Sequence, residues 1–182
     1  MTLLEIIQKY GYHKTDKHTG HSYIPHVYDQ VFERLRDKKL NILEIGTREG
    51  DSLRLWRKYF PNAEIFGVDN DESGKVNNFQ AEGINMIMGD GYSDEVVKQL
   101  PKLDIIIDDG PHSLESQLLC LEKYMPRLKR GGQILIEDIA KFEYIDLLEA
   151  KYQELGYDKE VVYYDMRDIK GRFDDIIVQF FK

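Results

Sequence analysis

From Asn41 onward, short apolar runs alternate with stretches whose apolar residues recur every three or four positions. The runs NILEIG, AEIFGVD, INMIMGD, LDIIIDD and GQILIED each close on an acid or a glycine. They are rich in Ile and Val and lack clean polar alternation, which predicts strands covered on both faces, as in a parallel sheet. Between them, residues 52–60, 72–81, 93–100, 113–128 and 141–155 carry the helical period and predict crossover helices. The Asp94 and Ser113 regions predict helix caps, and Gly131-Gly132 and Gly156 predict helix stops. After Gly156, KEVVYYDMRD and DDIIVQFFK are separated by a link too short for a crossover helix, which predicts an antiparallel pair. The expected fold is α/β: a Rossmann-like, seven-stranded doubly wound sheet with an antiparallel last strand. Ahead of Asn41, residues 3–11 and 25–37 predict two short helices joined by the polar segment 13–23.

A length of 182 residues fits one domain, with residues 1–40 as an N-terminal helical and lid segment. Lys and Arg number 25 against 33 Asp and Glu, a net charge of −8, and the basic residues do not cluster. Nucleic acid is therefore not expected as a partner. No basic segment precedes an apolar stretch at the N-terminus, and no run approaches the roughly 18 residues of a membrane span. A soluble, unsecreted, cytoplasmic protein without a membrane partner is expected. The single cysteine, Cys120, cannot form an intramolecular disulfide and fits a reducing compartment. Cys120 and Trp56 fall on apolar helix faces and are expected in the core.

In open α/β sheets, ligands bind outside the carboxyl ends of the strands, so the acids there carry the candidate chemistry. The first strand runs into Glu44-Ile45-Gly46-Thr47-Arg48-Glu49-Gly50-Asp51-Ser52. A nicotinamide fingerprint needs glycine at positions 46, 48 and 51, and Arg48 and Asp51 occupy the last two. Glu44, Glu49 and Asp51 would also repel a pyrophosphate at the helix start. Asp69 ends the second strand, 23 residues after Gly46, at the offset from which an acid reaches ribose hydroxyls. A nucleoside without phosphates fits both facts. Gly46, Thr47, Arg48 and Ser52 would then line its site, with Asp90 and Gly91 bordering the base and Asp108 nearby. Any one of these acids could equally be a turn former or helix cap.

The fourth and fifth strands end in Asp108-Asp109-Gly110-Pro111-His112 and Glu137-Asp138. Asp109, Glu137 and Asp138 would repel one another at one mouth unless a cation sat between them. Hard oxygen ligands in small number suit Mg²⁺ or another divalent cation; the alternative is that these acids cap helices and face water. His112, three residues past Asp109, is a candidate general base. His13, His18, His21 and His26 match no standard zinc spacing. The segment holding the first three is instead expected to fold over the strand ends, bringing His21, Tyr23 and Tyr28 to the pocket.

These residues resemble the class I S-adenosylmethionine-dependent methyltransferases, and within them the Mg²⁺-dependent sugar O-methyltransferases of macrolide biosynthesis and the rhamnosyl O-methyltransferases. The resemblance runs from Tyr10 to Tyr23 (Tyr-Gly-x-x-Lys-Thr-Asp-Lys-x-x-x-His-x-Tyr), through LEIG and SLRLWRKYFPNAEIFGVD, to DDGPH and GGQILIED. It implies a class I methyltransferase fold in which Glu44, Gly46 and Asp69 hold S-adenosylmethionine. It also implies that Asp109, Glu137 and Asp138 ligate the metal, and that His112 deprotonates a hydroxyl of a sugar-containing small molecule. Arg48 stands where many methyltransferases have glycine, and the large additional N-terminal domain of some macrolide enzymes is expected to be absent. A short lid further suggests a homo-oligomer that shares pocket walls. Two other readings are a cephalosporin-hydroxylase-like enzyme and a non-catalytic S-adenosylmethionine-binding module on the same fold. The first needs an iron site, for which no 2-His-1-carboxylate spacing is found.

Overall fold

A computed structural model describes residues 1–70 and 79–182. Seven strands form one sheet in the order β3-β2-β1-β4-β5-β7-β6. They are β1 (Asn41–Ile45), β2 (Glu64–Asp69), β3 (Ile84–Met88), β4 (Leu103–Asp108), β5 (Leu128–Ile136), β6 (Val162–Asp165) and β7 (Ile176–Phe181). The first five pair in parallel, and β7 runs antiparallel to both β5 and β6. The expected doubly wound sheet with its antiparallel last strand is thus present. Strand order reverses at β1, which pairs with β2 on one side and β4 on the other. The crevice outside their carboxyl ends is the place for a ligand.

Successive strand residues feed opposite cores, which is why the strands read as unbroken apolar runs. Ile42, Ile65, Ile105 and Ile107 join the core under α1 (Leu3–Tyr10), the N-terminal segment and α4 (Asp51–Tyr59). Leu43, Val68, Ile106 and Ile134 join the core under α5 (Asp94–Gln99), α6 (Leu114–Tyr124) and α7 (Glu143–Glu154). Trp56 and Cys120 are fully buried, one in each core, as expected. The helix expected over 72–81 lies mostly outside the described residues. Among the described residues, no helix is long and apolar enough to cross a membrane.

Three boundaries differ from expectation. The helix expected over 113–128 stops at Tyr124, because Pro126 lacks the N–H that would extend it, and a 3₁₀ turn follows at Met125–Arg127. Gly131-Gly132 are not a helix stop. They lie inside β5, where the register with β4 jumps from Leu103↔Leu128 to Ile105↔Gln133. Gly131, at φ 81°, donates its N–H to the Lys182 carbonyl at 2.8 Å. The strand expected over 159–168 narrows to β6, because α8 (Arg167–Lys170) begins two residues later and is closed by Gly171 at φ 71°. Of the N-terminal helices, the second begins as a π turn (Ile24–Tyr28) and continues as α3 (Asp29–Phe32), and the polar segment before it contains α2 (Asp16–Thr19).

Candidate active site

The residue that lets the sheet ends close up is Gly46. It stands at φ 79°, and a Cβ there would lie 2.0 Å from the Asp109 carbonyl oxygen, so β1 and β4 can converge only over a glycine. Two hollows meet at Gly46. The larger, about 530 Å³, is lined by Thr47, Arg48, Ser52 and Asp109 on the sheet side and by Lys14, Thr15 and Asp16 on the other. The smaller, about 260 Å³, is lined by Asp69, Asp90, Gly91, Tyr92 and Gly110. The Asp69 carboxylate is fixed at this junction, its Oδ2 accepting the Thr47 and Arg48 N–H groups at 2.7 and 2.6 Å. Asp90 is exposed on the rim and accepts the Tyr92 N–H at 3.0 Å. Of the residues expected around a nucleoside, Gly46, Thr47, Arg48, Ser52, Asp69, Asp90 and Gly91 line this crevice.

Glu44 and Asp108 do not line it. Asp108 is buried and accepts the Tyr92 hydroxyl at 2.6 Å, and burial pushes its carboxyl up to about 6. Glu44 lies fully buried behind the crevice wall, accepting the Trp56 indole N–H at 3.2 Å, with the Lys17 ammonium also 3.2 Å away.

Lys17 is the residue that sequence reasoning missed. It sits on α2 with its side chain fully buried, and its Nζ lies 2.7 Å from Asp109 Oδ2 and 2.8 Å from Glu137 Oε2. Burial alone would lower its pKa, but Asp109, Glu137 and Glu44 outweigh that and hold it well above the ordinary lysine value. Those three acids thus favour the charged form of the lysine. Its only sequence signal was its place in the Thr-Asp-Lys stretch of the N-terminal pattern.

The same N-terminal segment supplies three more contacts. The Tyr28 hydroxyl donates to Glu137 Oε1 and the Tyr23 hydroxyl to Asp138 Oδ1. His21 Nδ1 lies 3.4 Å from Asp138 Oδ1 and 3.3 Å from Asp175 Oδ1. His21, Tyr23 and Tyr28 are all buried, so they meet the carboxylates from within the fold. His112 approaches from the cleft side, with Nε2 3.1 Å from Asp109 Oδ1 and Nδ1 3.3 Å from Asp138 Oδ2. Burial works to lower the His112 pKa, but the Asp109 hydrogen bond and the charges of Asp138, Asp109 and Asp108 raise it to about 9.

Ligand atoms of Asp109, His112 and Asp138 all lie within 4.8 Å of one another, close enough for one cation to touch all three. The two hard carboxylate oxygens suit a divalent cation that completes its shell with water or hydroxyls, with the imidazole beside it. Glu137 faces inward, each of its oxygens already meeting a donor. Among the described residues, non-glycine residues with positive φ are Arg48, His112 and Asp138, at 45°, 58° and 55°. All three stand at the sheet mouth, where backbone strain is kept for side-chain placement.

The fold and the crevice define a doubly wound α/β protein with a nucleoside-sized cleft beside an acidic, histidine-bearing pocket. A methyltransferase-domain family model matches residues 43–139, more than half of the chain, and the chain belongs to that family. It is 30% identical over 135 residues to 8-demethyl-8-(2-methoxy-alpha-L-rhamnosyl)-tetracenomycin-C 3'-O-methyltransferase of Streptomyces olivaceus, covering 70% of this chain and 35% of that protein. It is also 30% identical over 127 residues to mycinamicin VI 2''-O-methyltransferase of Micromonospora griseorubida, covering 65% of this chain and 32% of that protein. The matches thus span about a third of these relatives' length. Among solved structures, MycE methyltransferase in complex with Mg, SAH and mycinamycin VI superposes with a TM-score of 0.75 at 22% identity, covering 100% of this chain and 54% of that one. That likeness is one of fold.

Proposed function

We propose that the chain is an S-adenosylmethionine-dependent, metal-assisted O-methyltransferase acting on a hydroxyl of a sugar or glycosylated small molecule. The observation that carries this reading is the convergence of Asp109, His112 and Asp138 beside the Gly46 crevice. The relatives' names, all of O-methyltransferases, support the same class.

The residues present fit both implied groups. A crevice that meets at a glycine admitting no Cβ, with Asp69 fixed at the junction, suits a phosphate-free nucleoside. Gly46, Thr47, Arg48, Ser52, Asp69, Asp90 and Gly91 would hold it, with Glu44 and Asp108 backing the wall. Asp109 and Asp138 present one oxygen each on the cleft side as ligands for a divalent cation, and Glu137 adds its charge from within. When bound, S-adenosylmethionine supplies an electrophilic methyl, and the cation acidifies a hydroxyl that it coordinates.

In this reading His112 would take the proton of the acceptor hydroxyl, the oxygen that would receive the methyl group. His112 cannot do so while Asp109 and Asp138 hold its own proton in place. Neutralising those two carboxylates returns the imidazole toward its ordinary value near 6.5 and frees it as a base. Fixing the hydroxyl between His112 and the crevice removes orientational freedom, which is a large part of what such a site contributes. The buried N-terminal segment closes the rear of the pocket against water.

Titrating S-adenosylmethionine calorimetrically into the protein with Mg²⁺ present should show saturable micromolar binding, and a well-folded protein that takes up none would sink the reading. His112→Ala should keep that binding while turnover on a sugar acceptor falls by about 10²- to 10⁴-fold. Unchanged turnover would remove His112 from the mechanism.

A further inference from the structure

Asp109, Glu137, Asp138 and Glu44 together offer eight carboxylate oxygens, and their partners divide them sharply. Six are met from the interior: Glu44 by Lys17 and Trp56, Glu137 by Lys17 and Tyr28, Asp109 Oδ2 by Lys17, and Asp138 Oδ1 by Tyr23 and His21. The other two, Asp109 Oδ1 and Asp138 Oδ2, turn to the cleft side and meet His112. The Lys17 ammonium donates to Asp109 Oδ2 at 2.7 Å and Glu137 Oε2 at 2.8 Å, and Glu44 Oε1 stands 3.2 Å away as an ion-pair partner. Such a buried ammonium is costly to desolvate and is kept only where opposite charges pair with it.

We propose that Lys17 is a resident cation that permanently fills the inner half of the carboxylate cluster, so that the chain takes one divalent cation, on the cleft side between Asp109 and Asp138. Lys17 is a positioning residue: by holding Asp109 Oδ2 it aims Asp109 Oδ1 outward, as Tyr23 does for Asp138 Oδ2. The inference rests on the metal-assisted reading above. Its consequence is that Lys17 and the divalent cation occupy the cluster together and do not exchange for one another.

The test counts Mn²⁺ per chain by electron paramagnetic resonance and maps Lys17 acylation by mass spectrometry in the same samples. The wild-type chain should bind one Mn²⁺, and Lys17 should resist acetic anhydride equally with chelator and with saturating Mn²⁺. If Lys17 becomes acylated as Mn²⁺ saturates, metal and lysine compete for the same oxygens and the proposal is overturned, with the metal site intact. If the wild-type chain binds no Mn²⁺ while Lys17 stays protected, the metal-assisted reading fails and takes the proposal with it. Lys17→Ala vacates a space walled by Glu44, Asp109 and Glu137 and should bind two Mn²⁺. Its Tm in chelator should fall on the order of 10 °C and recover substantially with Mn²⁺. Lys17→Met removes the charge but fills the space, and should lose Tm without that recovery. One Mn²⁺ in Lys17→Ala, with no recovery, would overturn the proposal, and the wild-type acylation result stands even where a variant fails to fold.

Discussion

At His112, burial and charge act in opposite directions. Desolvation favours the neutral ring, yet the Asp109 and Asp138 carboxylates on either side keep it protonated, with its pKa raised to about 9. The folded value exceeds the unfolded value near 6.5, so the folded state binds the proton more tightly. The resulting stabilisation is complete below about pH 6.5 and is lost as pH rises through about 9. Urea melts of metal-free protein should therefore show wild type losing stability between those pH values relative to His112→Ala. Saturating Mg²⁺ should shrink the difference by supplying the charge that the imidazolium supplies without it. A parallel pH dependence in both proteins would mean that the ring is not held as the distances imply. Such a histidine is legible in a sequence as a residue type near acids, but its protonation is set by two strands that meet only in the fold.

Among the elements, the β1–α4 turn is the least forgiving. Gly46→Ala must place a Cβ 2.0 Å from the Asp109 carbonyl while holding φ near 79°. The backbone conformation alone costs about 1–3 kcal/mol for a non-glycine residue. We expect a clear fall in Tm and loss of S-adenosylmethionine binding in calorimetry, and a variant that binds normally would show that the turn can open without consequence. This turn was legible because glycine between an apolar run and an amphipathic one has few other uses. The Gly131-Gly132 pair was misread for a related reason. Paired glycines mark both helix ends and strand bulges, and here the partner that decides is Lys182 at the far end of the chain, which bonds to both glycines. Beyond its place in the Thr-Asp-Lys stretch, Lys17 left no local trace, because the acids it pairs with lie 92 and 120 residues further on. The strand-end acids, by contrast, were found together because strands of one parallel sheet deliver their carboxyl ends to one edge.

Across the whole molecule, the N-terminal segment joins the two halves of the site. Lys14, Thr15 and Asp16 wall the larger hollow, and the next residue, Lys17, anchors the acids. Lys14 also reaches across the hollow, its Nζ 2.5 Å from Glu49 and its N–H donating to Asp51 Oδ2 at 3.0 Å. Cofactor binding should therefore slow amide hydrogen exchange in residues 14–21 together with residues 46–52. Protection confined to 46–52 would show that the segment is a static wall and not part of the binding unit.

The reversed direction of β7 has one more result. A strand running the opposite way begins where its neighbours end, so the β6–β7 connection arrives beside the pocket. There Lys170 donates to the His21 carbonyl at 2.7 Å, and Asp175 faces the His21 ring. This connection carries the outward-facing Ile169 and Phe173. Insertions or deletions there would bear first on the His21 and Asp138 side of the pocket, leaving the 46–52 wall of the crevice, on the opposite half of the sheet, in place. The architecture thus separates a heritable constant, the half that would take the methyl donor, from a part free to drift toward new acceptors.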